Sequence, residues 1–192
     1  MSDKRPLRLR LATLVLLAGL NAGVAAAEAT AVVTPAAPAT LAFIGFEVID
    51  EQPDASRWPA LRGRAERIGL QMAEGLQARG LYEVRDLAPA EDALQRTRDA
   101  NEFLHRCNAC LSEIGAAAGA RLVGVGWVQR VSNLILNINL GIWDVSDPNA
   151  DRMVLTKSVD IRGDNDESWR RGVGFMLRDM VERRERQPRY GL

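Results

Sequence analysis

The stretch RLVGVGWVQRVSNLILNINLGIWDV, residues 121–145, decides the fold. It reads as two strands joined by a tight turn at Ser132-Asn133. The second arm alternates. Leu134, Leu136, Ile138, Leu140 and Ile142 share one face, while Ile135, Asn137, Asn139, Gly141 and Trp143 share the other. A two-residue turn pairs Val131 with Leu134. Val123 then opposes Ile142, Val125 opposes Leu140 and Trp127 opposes Ile138, a wall of apolar cross-strand pairs. The other face sets Gly124 against Gly141, Gly126 against Asn139 and Val128 against Asn137. A slip of one residue would mix the faces, so the alternation favours this register.

Upstream, the chain begins with a segment that reads as a signal peptide. Lys4, Arg5, Arg8 and Arg10 form a basic start, residues 11–20 are apolar, and Ala25-Ala26-Ala27 suits cleavage after Ala27. The apolar run is short for a membrane span, and no cysteine follows it to carry a lipid. Export to the periplasm without a stable membrane anchor is the expectation, and an uncleaved amino-terminal anchor is the alternative. Residues 28–40, rich in Ala, Thr and Pro, read as a flexible leader. Of 25 basic and 25 acidic residues, the first 27 positions hold four and one. The remainder carries 21 and 24, close to −3, which argues against nucleic acid as partner.

A single domain is expected over residues 41–186, followed by a tail at 187–192. Residues 41–50, LAFIGFEVID, are apolar on both faces, as in a strand covered from both sides. Leu61, Ala65, Ile68, Met72 and Leu76 mark one stripe of a helix over about 57–79, capped by Gly80. Residues 81–87 read as a short strand, 89–91 as the opening of a short helical turn, 96–106 as loop with helical pieces, and 108–118 as an Ala-rich helix. Residues 153–161 alternate as a fifth strand. Residues 163–166 supply a turn and a helix cap, and Trp169, Val173, Met176, Leu177 and Met180 stripe the last helix. The order β-α-β-α-β-β-β-α predicts an α/β two-layer domain: a five-stranded mixed sheet with an antiparallel meander at 121–161 and helices packed on it.

Several segments carry a resemblance. A Phe-Glu step in the first strand, a helix ending Ala-Arg-Gly, then Tyr-Glu-Val, then Gly-Ala-Arg leading into a Gly-bearing strand are similar to the TolB amino-terminal domain. The curli secretion lipoprotein and the lipoprotein activators of penicillin-binding proteins are similar in pattern. CNAC, VSNLILNIN and DIRGDNDESW resemble the recurrent segments of an exported bacterial family of unknown function. The resemblance implies a fold and a compartment, and no reaction.

The residues offer little catalytic chemistry. Cys107 and Cys110 are the two cysteines, and in an exported protein a structural disulfide is expected. A redox pair at a helix start is the alternative, but the residues before it are polar rather than a strand. A zinc site needs four ligands, and two sulfurs with one histidine do not make one, so neither metal nor cofactor is expected. His105 reads as a solvated loop residue. No Gly-x-Ser-x-Gly is present, and Gly124-Val-Gly opens no helix, so nucleophilic catalysis and phosphate cradling find no support. Asp160, Arg162, Asp164, Asp166 and Glu167 cluster before the last helix, most simply as a cap with paired charges. Asn137 and Asn139 oppose strand propensity, and such departures tend to fall at sites. The expectation is a non-enzymatic accessory or binding module for a periplasmic protein partner, with Asn137, Asn139, Arg162, Asp164 and Trp169 as its surface. The alternatives are a thiol–disulfide enzyme using Cys107 and Cys110, or a small-molecule-binding protein.

Overall fold

β1 (Thr40–Asp50) is apolar on both faces because both are covered. Leu41 and Phe43 join one cluster of core side chains, Ala42 and Ile44 another on the opposite side of the sheet. The structure is a computed structural model and describes residues 37–107, 109–147 and 149–192. The expected signal peptide and the leader up to residue 36 lie outside the described residues, as do Asn108 and Pro148.

α1 (Trp58–Ala78) buries Leu61, Ala65, Ile68, Met72 and Leu76, the stripe the spacing predicts. β2 shrinks from the expected seven-residue strand to Glu83–Val84, parallel to β1. Tyr82 beside it is wholly buried and donates its hydroxyl to the Gly191 carbonyl at 2.7 Å. Burial pushes that hydroxyl up to about 12 despite the nearby Arg184 cation, so it stays a neutral donor. Residues 187–192, expected as a tail, thereby lie against the core, with Tyr190 and Leu192 partly buried there. α2 (Glu91–Ala100), a 3-10 turn at Leu104–Arg106 and α3 (Ser112–Ala117) follow. Then come β3 (Leu122–Arg130), β4 (Ile135–Asp147), β5 (Ala150–Arg162) and α4 (Asp166–Arg186).

The sheet order is β2-β1-β3-β4-β5, with β2, β1 and β3 parallel and β3 to β5 an antiparallel meander. This is the α/β two-layer domain with a five-stranded mixed sheet. α1 and α4 form the helical layer, contributing Ile68, Met72, Trp169, Val173 and Met176 to the larger core. The short segment from Ala90 to Ala120 closes one end of the opposite face, where Leu94, Leu104, Leu111 and Ile114 pack on Val123, Val125, Trp143 and Val145.

That second covering corrects the hairpin register. Gly124 pairs with Ile142, Gly126 with Leu140, Trp127 with Asn139, Val128 with Ile138 and Gln129 with Asn137, one residue away from the expected pairing. The turn is longer by one residue. Val131 donates its N–H to the Ile135 carbonyl at 3.1 Å, and Ser132 Oγ accepts from Leu134 and Ile135 N–H at 3.2 Å. The helical face of β3 is therefore the glycine face. The reason is steric: a Cβ on Gly126 would lie 2.3 Å from the Phe46 ring, and one on Gly124 3.1 Å from Phe43. The β1 aromatics fill the space that β3 vacates. Val123 and Val125 turn to the other face because α3 buries them there.

The expected helix over 108–118 starts only at Ser112. Cys107 and Cys110 are joined by a disulfide, and Ala109 between them adopts a left-handed φ of 58°. Leu111 N–H donates to Asp151 Oδ2 at 3.0 Å instead of entering a helix. α4 begins as expected, with the Asn165 side chain accepting the Ser168 N–H at 3.0 Å. No helix among the described residues is long and apolar enough to cross a membrane.

Candidate functional site

Asn137 and Asn139 lie on the sheet face opposite the helical layer, in the part that α2 and α3 leave uncovered. Pairing puts Gln129, Trp127, Ser158 and Asp160 beside them on the same face. The glycine shelf expected opposite the amides is not there, because the longer turn moves Gly126 to the helical side. The amides bond within the sheet. Asn137 Nδ2 donates to Asp160 Oδ1 at 2.5 Å, and its Oδ1 accepts from Ser158 Oγ at 2.9 Å. Asn139, nearly buried, donates to the Trp127 and Asn137 carbonyls at 3.5 and 3.3 Å. Toward β5 the face opens to solvent, with Ile135, Thr156, Ser158, Asp160 and Arg162 exposed.

The border of this face is a feature the sequence reading missed. His105 is not a solvated loop residue. Its ring stacks on Trp127 at 4.4 Å and 10° between planes, and its Nδ1 sits 2.8 Å from Glu47 Oε2. Glu47 Oε1 also accepts the Leu104 N–H at 2.7 Å. A carboxylate in an otherwise apolar strand was the available signal. It fixes the Leu104–Arg106 turn onto the sheet.

Asp164 and Trp169 lie elsewhere. Trp169 is wholly buried in the helical core and donates Nε1–H to Asp164 Oδ1 at 3.2 Å. Asp164 also accepts from Arg64 Nη1 and Arg130 Nε, both at 2.9 Å. Arg130 has no solvent exposure and completes the cluster with Asp50 at 2.7 Å and with Asn133. Burial disfavours its cation, but the bonds to Asp50 and Asp164 outweigh that and raise its pKa. The structure thus groups Asn137, Asn139 and Arg162 on or at the rim of the open face, and sets Asp164 and Trp169 in a buried polar knot behind it. Among the described residues no group of three or more His, Cys, Asp or Glu is arranged to hold a metal.

A second charged cluster stands at the far end of the sheet. Asp144 accepts from Arg121 Nη2 at 2.8 Å, Arg152 Nη2 at 3.0 Å, and Ser146 N–H and Oγ at 3.1 and 2.6 Å. Burial alone would raise its pKa, but the Arg121 and Ser146 bonds prevail and hold it well below the ordinary carboxylate range. A depressed folded-state pKa stabilises the fold fully above the unfolded value of about 4 and loses that contribution as pH falls through the folded value. Asp144→Asn is therefore expected to cost roughly 2 kcal/mol at pH 7. The gap between wild type and variant should close progressively below about pH 4 in thermal melts across pH. A gap unchanged down to pH 2 would contradict it.

The sequence can be set against known families at this point. The model of DUF3280, described as a protein of unknown function (DUF2380), matches residues 39–181, from the start of β1 into the last turns of α4. The chain belongs to that family. The DUF3280 domain so defined contains the disulfide, the Glu47–His105–Trp127 stack, the asparagine pair and the Arg130 knot. CNAC, VSNLILNIN and DIRGDNDESW, which pointed to a family of unknown function, all fall within it. No curated protein matches the sequence. Solved structures with a similar fold include the LpoB carboxyl-terminal domain from Salmonella enterica, at 10% identity and TM-score 0.47, covering 65% of this chain and 83% of that one. The hypothetical protein CT253 from Chlamydia trachomatis is similar at 11% identity and TM-score 0.43, covering 77% and 96%.

Proposed function

We propose that this DUF3280 protein is an exported, periplasmic, non-enzymatic accessory module that works by binding a protein partner through the open half of its sheet face. The observation that carries the reading is that half-face itself. Asn137, Gln129, Ser158 and Thr156 present amides and hydroxyls on the sheet, with no helix over them among the described residues, and Trp127 with His105 forms an aromatic border. Each amide is both donor and acceptor, which suits contact with another protein's backbone. The basic start, apolar run and Ala-Ala-Ala of the first 27 residues support export, and the Cys107–Cys110 bridge fits an oxidising compartment. In this reading the bridge is structural: it shapes the approach to α3 and closes the far half of the face.

The test is affinity capture from periplasm with mass spectrometry, comparing wild type with the double variant Asn137→Ala, Asn139→Ala. The Asn137 side chain bonds to Asp160 and Ser158 on the exposed part of β5, while Asn139 is buried and bonds to backbone carbonyls of β3 and β4. The pair is expected to cost no more than about 1–2 kcal/mol together, while capture of the partner is lost. A large fall in melting temperature with capture unaltered would defeat the proposal. Rapid insulin reduction abolished by Cys107→Ser would replace it with the thiol–disulfide reading.

A further inference from the structure

We propose that the outer edge of β5, with the facing side of α4, is a docking groove for an extended acidic peptide segment that adds to the sheet as a sixth strand. This rests on the reading of the domain as a protein-binding module and adds the chemistry of the partner.

Three observations carry it. First, β5 is a thirteen-residue strand with β4 on one side and, among the described residues, no strand on the other. The hairpin closes with Val131 N–H on the Ile135 carbonyl, and Gly163 N–H reaches the Leu134 carbonyl. In an antiparallel ladder bonding alternates along each strand. Val159 and Ile161 therefore bond inward to β4, while the N–H and C=O groups of Thr156, Ser158 and Asp160 point outward. Such an edge is a template for strand addition.

Second, the groove beside this edge is cationic. It has a volume of about 840 Å³, and Arg162, Arg170, Arg171 and Arg178 line it together with Val159 and Phe175. Arg170 is paired with Glu167. Arg162, Arg171 and Arg178 have no carboxylate partner among the described residues. The one carboxylate lining the groove, Asp160, is held by the Asn137 amide.

Third, the spacing fits a strand. Arg171, Phe175 and Arg178 recur at four and three residues, one stripe of α4, and Phe175 is 52% exposed. The two arginines are about 10.5 Å apart along the helix axis. On an added strand, side chains on the helical face recur about every 6.8 Å, so acidic–apolar–acidic at alternate positions meets Arg171, Phe175 and Arg178 within side-chain reach. A second copy of this chain is a poor occupant, because pairing β5 with β5 would bring the same arginines face to face.

The probe is an end-blocked synthetic peptide, Thr-Glu-Thr-Val-Thr-Glu-Thr, titrated calorimetrically into the purified full-length protein at low salt. Saturable binding is expected, weakened at least tenfold in Arg171→Glu, Arg178→Glu and at least tenfold when alternate backbone amides of the peptide are N-methylated. The double variant changes two exposed helix positions, and circular dichroism checks that it is folded. Equal binding of the N-methylated peptide would overturn strand addition, and an unchanged affinity in the double variant would overturn the arginine groove. Absence of binding, or binding of a polyuronate chain in place of the peptide, would overturn the peptide as occupant. Self-association through β5 would do the same. The two readings fail separately: partner capture unaltered in the Asn137 and Asn139 variant defeats the sheet-face reading, and probe binding indifferent to Arg171 and Arg178 defeats this one.

Discussion

Replacing Arg130 with methionine is expected to destabilise the domain by about 3–5 kcal/mol, because it strands two buried carboxylates. Arg130 has no exposed surface, and the side chains of Asp50 and Asp164 are 2% and 9% exposed. The guanidinium joins the ends of three elements: Asp50 closes β1, Arg130 closes β3, and Asp164 lies between β5 and α4. Its fork of donors answers several acceptors at once, which a lysine ammonium does not reproduce. Arg130→Lys should therefore recover only part of the loss. Urea denaturation at pH 7 gives the measurement. Because the cost comes from stranded charge, adding Asp50→Asn and Asp164→Asn to Arg130→Met should restore much of the stability. A loss below about 1 kcal/mol for Arg130→Met would mean that the carboxylates find water or protonate.

Trp169→Ala is expected to cost a similar amount, about 3–5 kcal/mol, by a different mechanism. The indole is wholly buried between α1, α4 and the sheet, and removal leaves a cavity that the layer closes only in part. Trp169→Phe separates the two contributions. It keeps most of the apolar volume and loses the bond to Asp164, so about 1 kcal/mol is expected. Partner capture measured below the melting transition should survive Trp169→Phe, since this side chain offers no surface to a partner. Loss of capture in a folded Trp169→Phe variant would instead make the knot part of the binding machinery.

How far the candidate site could be read from the chain follows from these residues. Asn137 and Asn139 were legible as a break in strand propensity, and the alternation of β4 set them opposite the face of Leu136 and Ile138, but left open which β3 residues lie beside them. Arg162 was legible as a charge of the cluster before the last helix, with no sign of the face it lies on. Asp164 and Trp169 were legible as a helix start, yet their burial was not. Asp164 is solvated or buried according to whether Arg130 and Arg64 reach it, and those residues lie 34 and 100 positions away. The stack of His105 on Trp127, held by Glu47, 58 residues distant, is of the same kind.

The sequence by itself determined the elements: both long helices through their 3.6-residue stripes, the central strands through apolar runs and alternation, the α4 cap within residues 163–166, and hence the two-layer α/β class. These are local properties, governed by side chains within a turn or a strand of one another. Tertiary structure alone decided the hairpin register, the shortening of β2, and which charges are buried. The register shows why. Alternation in β4 is satisfied by either pairing, and β3 is apolar on both faces because both are covered. The choice fell to the Phe43 and Phe46 rings of β1, which need glycine opposite them. That contact joins residues some eighty positions apart, and periodicity within a strand carries no record of it.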